Sequence, residues 1–255
     1  MIDSHCHLTD PRLSDQLEAV LGRAASAGIQ GMITIGTTPD DAQAAITLCQ
    51  ERKNVRCAVG LHPNYSHEVP PARWAELETL LRAPEVLAAG EMGLDYHWDF
   101  ADRAIQRRAL EYQLSLAKTR NLPVVIHCRN AVDDTLAILR GGAMRGVFHC
   151  FTGTIDESRR IIEAGFHIGF TGPITFKRSD ELRQIVRETP RDRLLVETDA
   201  PYLTPEPHRK IKVNEPAFVI HVADEVARQW DVSRDEVDRV TTHNLATLFG
   251  WPTTK

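Results

Sequence analysis

Histidine and carboxylate side chains of this chain fall in short motifs whose composition suits metal binding. His5 and His7 form an HxH pair in the first motif, DSHCHL. The other candidates are His62 in GLHP, Glu91 in GEMGLDY, His127 in IHCRNA, His149 in HCFTG, and Glu197 and Asp199 in VETDAPYL. Imidazole nitrogens and carboxylate oxygens together bind zinc, manganese, iron or magnesium-type ions. These motifs predict a metal site if the fold brings them together.

Eight short β-rich runs recur along the chain, and the motifs lie at or just after the ends of several of them. The runs are 2–7, 31–36, 55–60, 86–91, 124–128, 146–150, 166–170 and 194–198. Segments with apolar residues at three- and four-residue spacing separate most runs and predict helices. Strand and helix in alternation indicate parallel βα units, and eight units in about 250 residues indicate an α/β fold, the (β/α)8 TIM barrel.

Helix signals support this architecture. The predicted helices are 14–27, 39–52, 72–82, 103–120, 131–140, 156–164 and 179–188. Thr38 before Pro39 predicts a capped start, and Ser233 with Glu236 predicts a capping box for a last helix ending near Leu248.

An open doubly wound sheet is the alternative, but it suits seven or fewer strands better, and no GxGxxG turn follows the first strand. No linker composition interrupts the chain, so we expect a single domain over residues 1–255.

The barrel places the candidate residues at one mouth, because active sites of this fold form at the carboxyl ends of the strands. The residues expected there are His5, His7, Glu91, His127, His149 and Asp199. Each alone has a simpler explanation, such as a hydrogen-bonded core histidine or a carboxylate that caps a loop. Independent structural residues need not share one end of consecutive strands, so their common position favours a shared function.

Three of the histidines carry a cysteine directly behind them, at Cys6, Cys128 and Cys150. Side chains alternate between the two faces of a strand, so His5 and His7 share a face that Cys6 does not. The same rule turns the two later cysteines away from their histidines. Free cysteine commonly packs as a small buried hydrophobe. We therefore expect the cysteines to pack between strands and helices, and alternation opposes a Cys-His metal site.

Four imidazoles and two carboxylates around one cavity require a cation, because desolvated carboxylates need a partner. Six ligands exceed the needs of one tetrahedral ion but fit two ions that share a carboxylate. Glu91 is the candidate for the shared position. Two ions activate water and stabilise the oxygens of a displacement, and Asp199 is a candidate to bind metal and to accept the proton of the attacking water.

The charge and composition of the chain indicate which substrates and which cellular location to expect. The net charge of −5 gives no global attraction for nucleic acid, so a phosphate chain would need local cations. Basic residues occur on several predicted loops at the mouth, at Arg129, Lys177, Arg178, Arg209, Lys210 and Lys212. Tyr96, Trp98, Phe176 and Tyr202 lie near the same rim and suit stacking on unpaired bases. No long apolar run or secretory leader is evident in the sequence, so we expect a cytoplasmic protein.

The motifs, in their order along nearly the whole chain, resemble those of the TatD family of metal-dependent deoxyribonucleases. The resembling segments are DSHCHL, GLHP, GEMGLDY, IHCRNA, HCFTG, ETDAPYLTP and NEP. The resemblance implies a TIM-barrel hydrolase that uses two divalent ions, Mg²⁺, Mn²⁺ or Zn²⁺, as a 3′-5′ exonuclease on single-stranded DNA. It implies metal ligands at the six residues above, with Glu91 shared. It also implies that His62 and Arg129 hold phosphate oxygens, and we expect a monomer.

Two departures from the family pattern concern the rim. An aromatic residue often stands where this chain has His97, and a basic glycine-containing segment often precedes NEP, where this chain has HRKIKV. Both bear on substrate preference and neither touches a candidate ligand. The alternative functions are hydrolysis of an ester or amide on the same barrel, such as aminoacyl-tRNA deacylation, and non-catalytic metal binding.

Overall fold

The computed structural model describes residues 1–140, 142 and 144–251 of the chain. Eight parallel strands form one sheet in which each strand pairs with its neighbour in the sequence. They are β1 (Ile2–Cys6), β2 (Gly31–Gly36), β3 (Val55–Val59), β4 (Val86–Asp95), β5 (Val124–Arg129), β6 (Gly146–Phe148), β7 (His167–Phe170) and β8 (Leu194–Val196). The predicted (β/α)8 TIM barrel is confirmed. The end of the predicted domain, residues 252–255, lies outside the described residues.

Backbone hydrogen bonds between β1 and the segment after β8 join the two ends of the sheet. Cys6 forms a parallel bridge with Ala200, and the His7 N–H donates to the Ala200 carbonyl at 2.7 Å. The Asp199 N–H donates to the His5 carbonyl at 2.9 Å. These bonds bring candidate residues from the first and last strands of the sheet side by side.

Helices connect the strands and cover the outside of the barrel. They are α1 (Pro11–Ser14), α2 (Leu17–Ser26), α3 (Pro39–Glu51), α4 (Ala75–Leu80), α5 (Arg103–Arg120), α6 (Val132–Leu139), α7 (Ile155–Glu163), α8 (Asp180–Glu188), α9 (Val219–Trp230) and α10 (Arg234–Phe249). The predicted helix 14–27 corresponds to α2, and the short helix α1, which Asp10 caps, precedes it and was not predicted. α9, which begins without a side-chain cap, was not predicted either. Among the described residues, no helix is both long enough and apolar enough to cross a membrane.

The two predicted caps are present to different degrees. The Asp41 N–H donates to Thr38 Oγ1 at 3.2 Å and begins α3 as expected. The Glu236 N–H donates to Ser233 Oγ at 3.2 Å. The Glu236 carboxylate, however, binds Arg239 at 2.7 Å. Only the first half of the predicted capping box therefore forms at the start of α10.

Apolar side chains fill the barrel below the polar mouth. Those facing inward are Ile2, Ile33, Ile35, Ala58, Ala88, Val125, Val147 and Leu195. Leu245, Leu248 and Phe249 of α10 pack against them, beneath the amino ends of the strands. The filled interior is typical of this fold, and it directs the polar chemistry to the opposite mouth.

Candidate metal centre

His5 on β1 and His7, directly after the end of β1, both face the mouth of the barrel. Their Nε2 atoms are 3.3 Å apart, so the two imidazoles lie on the same side of the chain. Cys6 is buried in the layer between strands and helices, where its Sγ lies 3.5 Å from the Ile33 carbonyl oxygen. The first motif therefore divides into two imidazoles that face the mouth and a thiol that packs.

The other two His-Cys pairs behave differently from each other. Cys128 lies on β5 and packs against the strand–helix layer, with its Sγ 3.5 Å from Thr135 Oγ1. β6 ends at Phe148, so Cys150 lies in the following turn with a φ of 47°. Its Sγ lies 3.1 Å from Thr171 Oγ1. Strand alternation therefore does not apply to Cys150, because the strand ends two residues earlier than expected.

Asp199 joins the HxH pair from the segment after β8. Its Oδ1 lies 3.2 Å from His7 Nε2 and 3.6 Å from His5 Nε2. The backbone of Asp199, three residues after the end of β8, is left-handed, with a φ of 55°. Asparagine and aspartate tolerate this conformation better than most residues. The two imidazoles and this carboxylate form one candidate group of ligands.

Glu91 on β4 lies between that group and a second set of histidines. Its Oε1 lies 2.6 Å from His149 Nε2 and 2.8 Å from His127 Nδ1. Its Oε2 lies 3.4 Å from His5 Nε2 and 4.0 Å from His7 Nε2. Its side chain is only 3% exposed. The two oxygens of one buried carboxylate thus face two different histidine pairs.

His62 also reaches this cluster, from the loop after β3. Its Nε2 lies 3.3 Å from Glu91 Oε1 and 3.2 Å from His127 Nδ1. Its Nδ1 accepts a hydrogen bond from the Asn64 N–H at 3.1 Å, at the start of a short 3-10 turn. Burial lowers the pKa of His62, which favours the neutral ring. A neutral imidazole that accepts at Nδ1 carries its proton on Nε2, so His62 presents an N–H donor to the cluster.

The opposite edge of His127 contacts a carboxylate that the sequence analysis did not single out. His127 Nε2 lies 2.9 Å from Asp95 Oδ2. Asp95 Oδ1 accepts hydrogen bonds from the backbone N–H groups of His97 at 3.0 Å and Trp98 at 3.2 Å. Burial raises the pKa of Asp95, but His127 and the backbone donors outweigh burial and bring the pKa to about 2. The ionised carboxylate orients the ring so that Nδ1 faces Glu91.

The charges of the cluster balance only if protons or cations lie among its groups. Burial raises the pKa of Glu91, but electrostatic interactions with the surrounding imidazoles, His149 first, and hydrogen bonds from His127 and His149 outweigh burial and hold the pKa well below its usual range. Burial lowers the pKa of His127, yet hydrogen bonds to Asp95 and Glu91 outweigh burial and raise the pKa to about 9. Ionised buried carboxylates need a positive partner. The cluster therefore needs either imidazolium protons or bound cations.

A cavity of about 810 Å³ opens above the cluster. Arg129, at the end of β5, borders it, and the guanidinium lies 5.6 Å from the centre of the Trp98 ring. Trp98 and Tyr202 border the same cavity. Arg12 lies 4.4 Å from the centre of the Tyr202 ring. Arginine and aromatic side chains therefore lie together at the mouth.

Other residues expected at the rim lie elsewhere. The Tyr96 hydroxyl donates to Asp134 at 2.7 Å, and the Arg209 guanidinium covers Phe176 at 3.6 Å from the ring centre. In the part of the chain that the structure describes, the basic residues expected beside Arg129 do not border the cavity. These are Lys177, Arg178, Arg209, Lys210 and Lys212. Arg129 is thus the one arginine or lysine among the described residues bordering the cavity.

The chain is similar in sequence to known proteins over nearly its full length. A model of the TatD-related DNase family matches residues 2–250. The chain belongs to the TatD family. Family relatives match it at full length. A 3'-5' ssDNA/RNA exonuclease TatD from Edwardsiella piscicida is 39% identical over 257 residues, which cover 98% of this chain and 99% of that protein.

One further relative and one solved structure are similar to this chain over nearly its full length. The metal-dependent hydrolase YabD of Bacillus subtilis strain 168, whose activity is uncharacterized, is 36% identical over 252 residues, 98% of each chain. The crystal structure of YjjV, a TatD homolog from Escherichia coli K12, superposes with a TM-score of 0.93 at 31% identity. It covers 99% of this chain and 98% of that chain. This TatD family member is a metal-dependent hydrolase.

Proposed function

We propose that this TatD family member is a deoxyribonuclease that holds two divalent ions at the mouth of the barrel. His5, His7 and Asp199 would hold one ion, and His127 and His149 the other, with Glu91 shared. The observation that carries this proposal is the placement of the two Glu91 oxygens, 3.4 Å from His5 Nε2 and 2.6 Å from His149 Nε2. A carboxylate between two histidine sets suits a bridge.

The donor set fits divalent ions. Imidazole nitrogens and carboxylates are ligands of Zn²⁺ and Mn²⁺, whereas Mg²⁺ favours oxygen ligands and retained waters. We therefore rank Mn²⁺ and Zn²⁺ above Mg²⁺ for this site. When bound, two ions lower the pKa of water and stabilise the oxygens of an in-line displacement.

The chain supplies a proton acceptor on the open side of the cluster. The Asp199 side chain is 13% exposed and that of Glu91 is 3% exposed. Both carboxylates border the cavity, and Asp199 is the more exposed of the two. Asp199 is the proposed acceptor for the proton of the attacking water, and Glu91 the proposed positioning group of the centre.

His62 and Arg129 are proposed to hold phosphate oxygens. The Asn64 N–H occupies His62 Nδ1, which leaves His62 Nε2–H as a donor toward the centre rather than a metal ligand. A neutral imidazole can stabilise developing negative charge by hydrogen bonding without transferring a proton. Arg129 offers two parallel donors to one phosphate. Arg129 would supply local positive charge for a phosphate chain, and His62 would add a hydrogen bond.

The exposed apolar side chains favour a nucleic-acid substrate with unpaired bases. In the described part of the chain, six large hydrophobic side chains are exposed. Five of these border the cavity, namely Tyr65, Trp98, Phe100, Tyr202 and Leu203. Four are aromatic, and aromatic rings bind unpaired bases by stacking. We propose single-stranded DNA, degraded from the 3′ end by a cytoplasmic monomer, as the substrate and setting.

The test compares single-stranded DNA labelled at the 3′ or 5′ end, with Mn²⁺ added to the metal-free protein. We expect stepwise loss of the 3′ label first, and loss of hydrolysis by at least about 100-fold in Asp199→Asn. An ester and an amide, including an aminoacyl-tRNA, serve as competing substrates. Intact DNA together with rapid hydrolysis of one of these would replace the nuclease proposal with the ester or amide alternative.

A further inference from the structure

Glu197 is a fully buried carboxylate directly below the proposed metal centre. Its relative exposure is 0%. Oε1 accepts a hydrogen bond from the Cys150 N–H at 2.6 Å, and Oε2 accepts one from the Ser4 hydroxyl at 3.0 Å. Burying a carboxylate is costly unless it is paired with a positive group or hydrogen-bonded. The two hydrogen bonds offset part of this cost.

The three joined segments each carry a proposed ligand. Ser4 directly precedes His5, Cys150 directly follows His149, and Glu197 is two residues before Asp199. One carboxylate therefore ties β1, the turn after β6 and the end of β8 together at the level of the metal centre. A change at Glu197 would displace ligands of both proposed ions.

One nitrogen of His149 faces this carboxylate. His149 Nδ1 is buried and makes no hydrogen bond with any residue that the structure describes, and it lies 3.8 Å from Glu197 Oε1. Its Nε2 lies 2.6 Å from Glu91 Oε1. A histidine that binds metal through Nε2 carries its proton on Nδ1, and this proton normally finds a carboxylate, carbonyl or water. Glu197 is the carboxylate at that position.

We infer that Glu197 is a positioning residue, which receives the His149 Nδ1–H and so presents Nε2 to the second ion. The inference rests on the proposed function only in taking His149 as a metal ligand. It does not depend on which bond the enzyme hydrolyses. At 3.8 Å the two atoms are not hydrogen-bonded, so the inferred hydrogen bond requires the imidazole to rotate until Nδ1 lies within about 3 Å of Oε1.

β7 leaves space for this carboxylate. A Cβ placed on Gly169 would lie 2.6 Å from both Glu197 oxygens. Atoms that close overlap, so an alanine there would push the carboxylate away from its two donors. Gly169 thus offers a second way to disturb Glu197, from another strand and without removing any charge or ligand.

The test measures metal binding and one proton signal, apart from hydrolysis. Zn²⁺ is titrated calorimetrically into the metal-free wild type, Glu197→Gln and Gly169→Ala. The control is Glu225→Gln, since Glu225 is also buried but binds Gln229 within α9. We expect Zn²⁺ affinity to fall about 10- to 100-fold in Glu197→Gln, to fall in Gly169→Ala, and to stay unchanged in the control.

NMR of the Zn²⁺-loaded wild type provides the readout specific to positioning. We expect a downfield, slowly exchanging His149 Nδ1–H signal that moves upfield in Glu197→Gln. Wild-type affinity in a folded Glu197→Gln protein would overturn the inference, as would a wild-type His149 Nδ1–H without a hydrogen bond. If Glu197→Gln does not fold, Gly169→Ala and the wild-type signal decide. Failure of the wild type to bind Zn²⁺ would instead contradict the metal centre itself.

Discussion

His127 Nε2 lies 2.9 Å from Asp95 Oδ2, on the side of the ring that faces away from the proposed metals. The same carboxylate accepts the backbone N–H of Trp98 through its other oxygen. One aspartate thus holds both a proposed metal ligand and the loop that carries an aromatic side chain of the mouth. A change at Asp95 would therefore disturb both the proposed metal centre and the loop that carries Trp98.

Asp95→Asn should therefore weaken metal binding and substrate binding together. The amide keeps the size of the carboxylate but not its charge, and loss of such a partner costs about 10- to 100-fold in metal affinity. Calorimetric titration with Mn²⁺ measures the first effect and the KM for single-stranded DNA the second. Asp134→Asn is the matched control, because Asp134 binds Tyr96 and Arg107 away from the cluster. Wild-type values for both quantities would show that Asp95 has no such role.

Metal affinity should rise with pH. Hydrogen bonds to Asp95 and Glu91 overcome burial and raise the pKa of His127 from 6.5 to about 9, so the metal-free protein keeps this proton at neutral pH. An ion that binds at Nδ1 must displace it. Affinity for Mn²⁺ should increase from pH 6.5 to 9, by at most about tenfold per pH unit for one proton. Calorimetry in buffers of different ionisation enthalpy counts the protons released, and a count of zero at pH 7 would contradict the prediction.

Cys6→Ala should lower stability but leave the metal content intact. The Cys6 side chain is fully buried against the strand–helix layer and faces away from His5 and His7. Removing the sulfur leaves a small cavity, for which a loss of about 1 kcal/mol in unfolding free energy is expected. Urea denaturation and elemental analysis measure the two quantities. Loss of metal from a folded Cys6→Ala protein would mean that the thiol takes part in the site.

Trp98→Ala should raise the KM for single-stranded DNA. Its ring is 45% exposed at the cavity and stacks on Phe100, with ring centres 5.6 Å apart. Stacking on a base contributes about 1–3 kcal/mol, so the KM should rise about 5- to 150-fold. Ile211→Ala is the control, because Ile211 is equally exposed but does not border the cavity. Equal KM values for the two variants would remove Trp98 from the substrate surface.

Much of this fold was predictable because its regularities are local. Apolar runs of strand length, separated by helical periodicity, lead directly to eight parallel strands. Residues that end such strands must meet at one mouth, which is why His5 and His127 were placed together although 122 positions separate them. The short helix α1 and the uncapped start of α9 have weaker local signals, and neither helix was predicted.

Contacts that depend on where a strand stops were less predictable. β4 continues to Asp95, four residues beyond Glu91, so the second carboxylate also faces the mouth. β6 stops at Phe148, which takes Cys150 out of the alternation. Which nitrogen of His62 carries the proton depends on a turn that places the Asn64 N–H against Nδ1. These features depend on the backbone geometry where strands pass into loops. The spacing of apolar residues in the sequence does not indicate that geometry.

The metal content of wild type and Glu91→Ala, measured by mass spectrometry after dialysis against Mn²⁺, tests the shared carboxylate most directly. We expect two ions per chain in the wild type and at most one in the folded variant, because Glu91 faces both histidine sets. One ion in the wild type, or two retained in Glu91→Ala, would contradict the bridged two-ion centre.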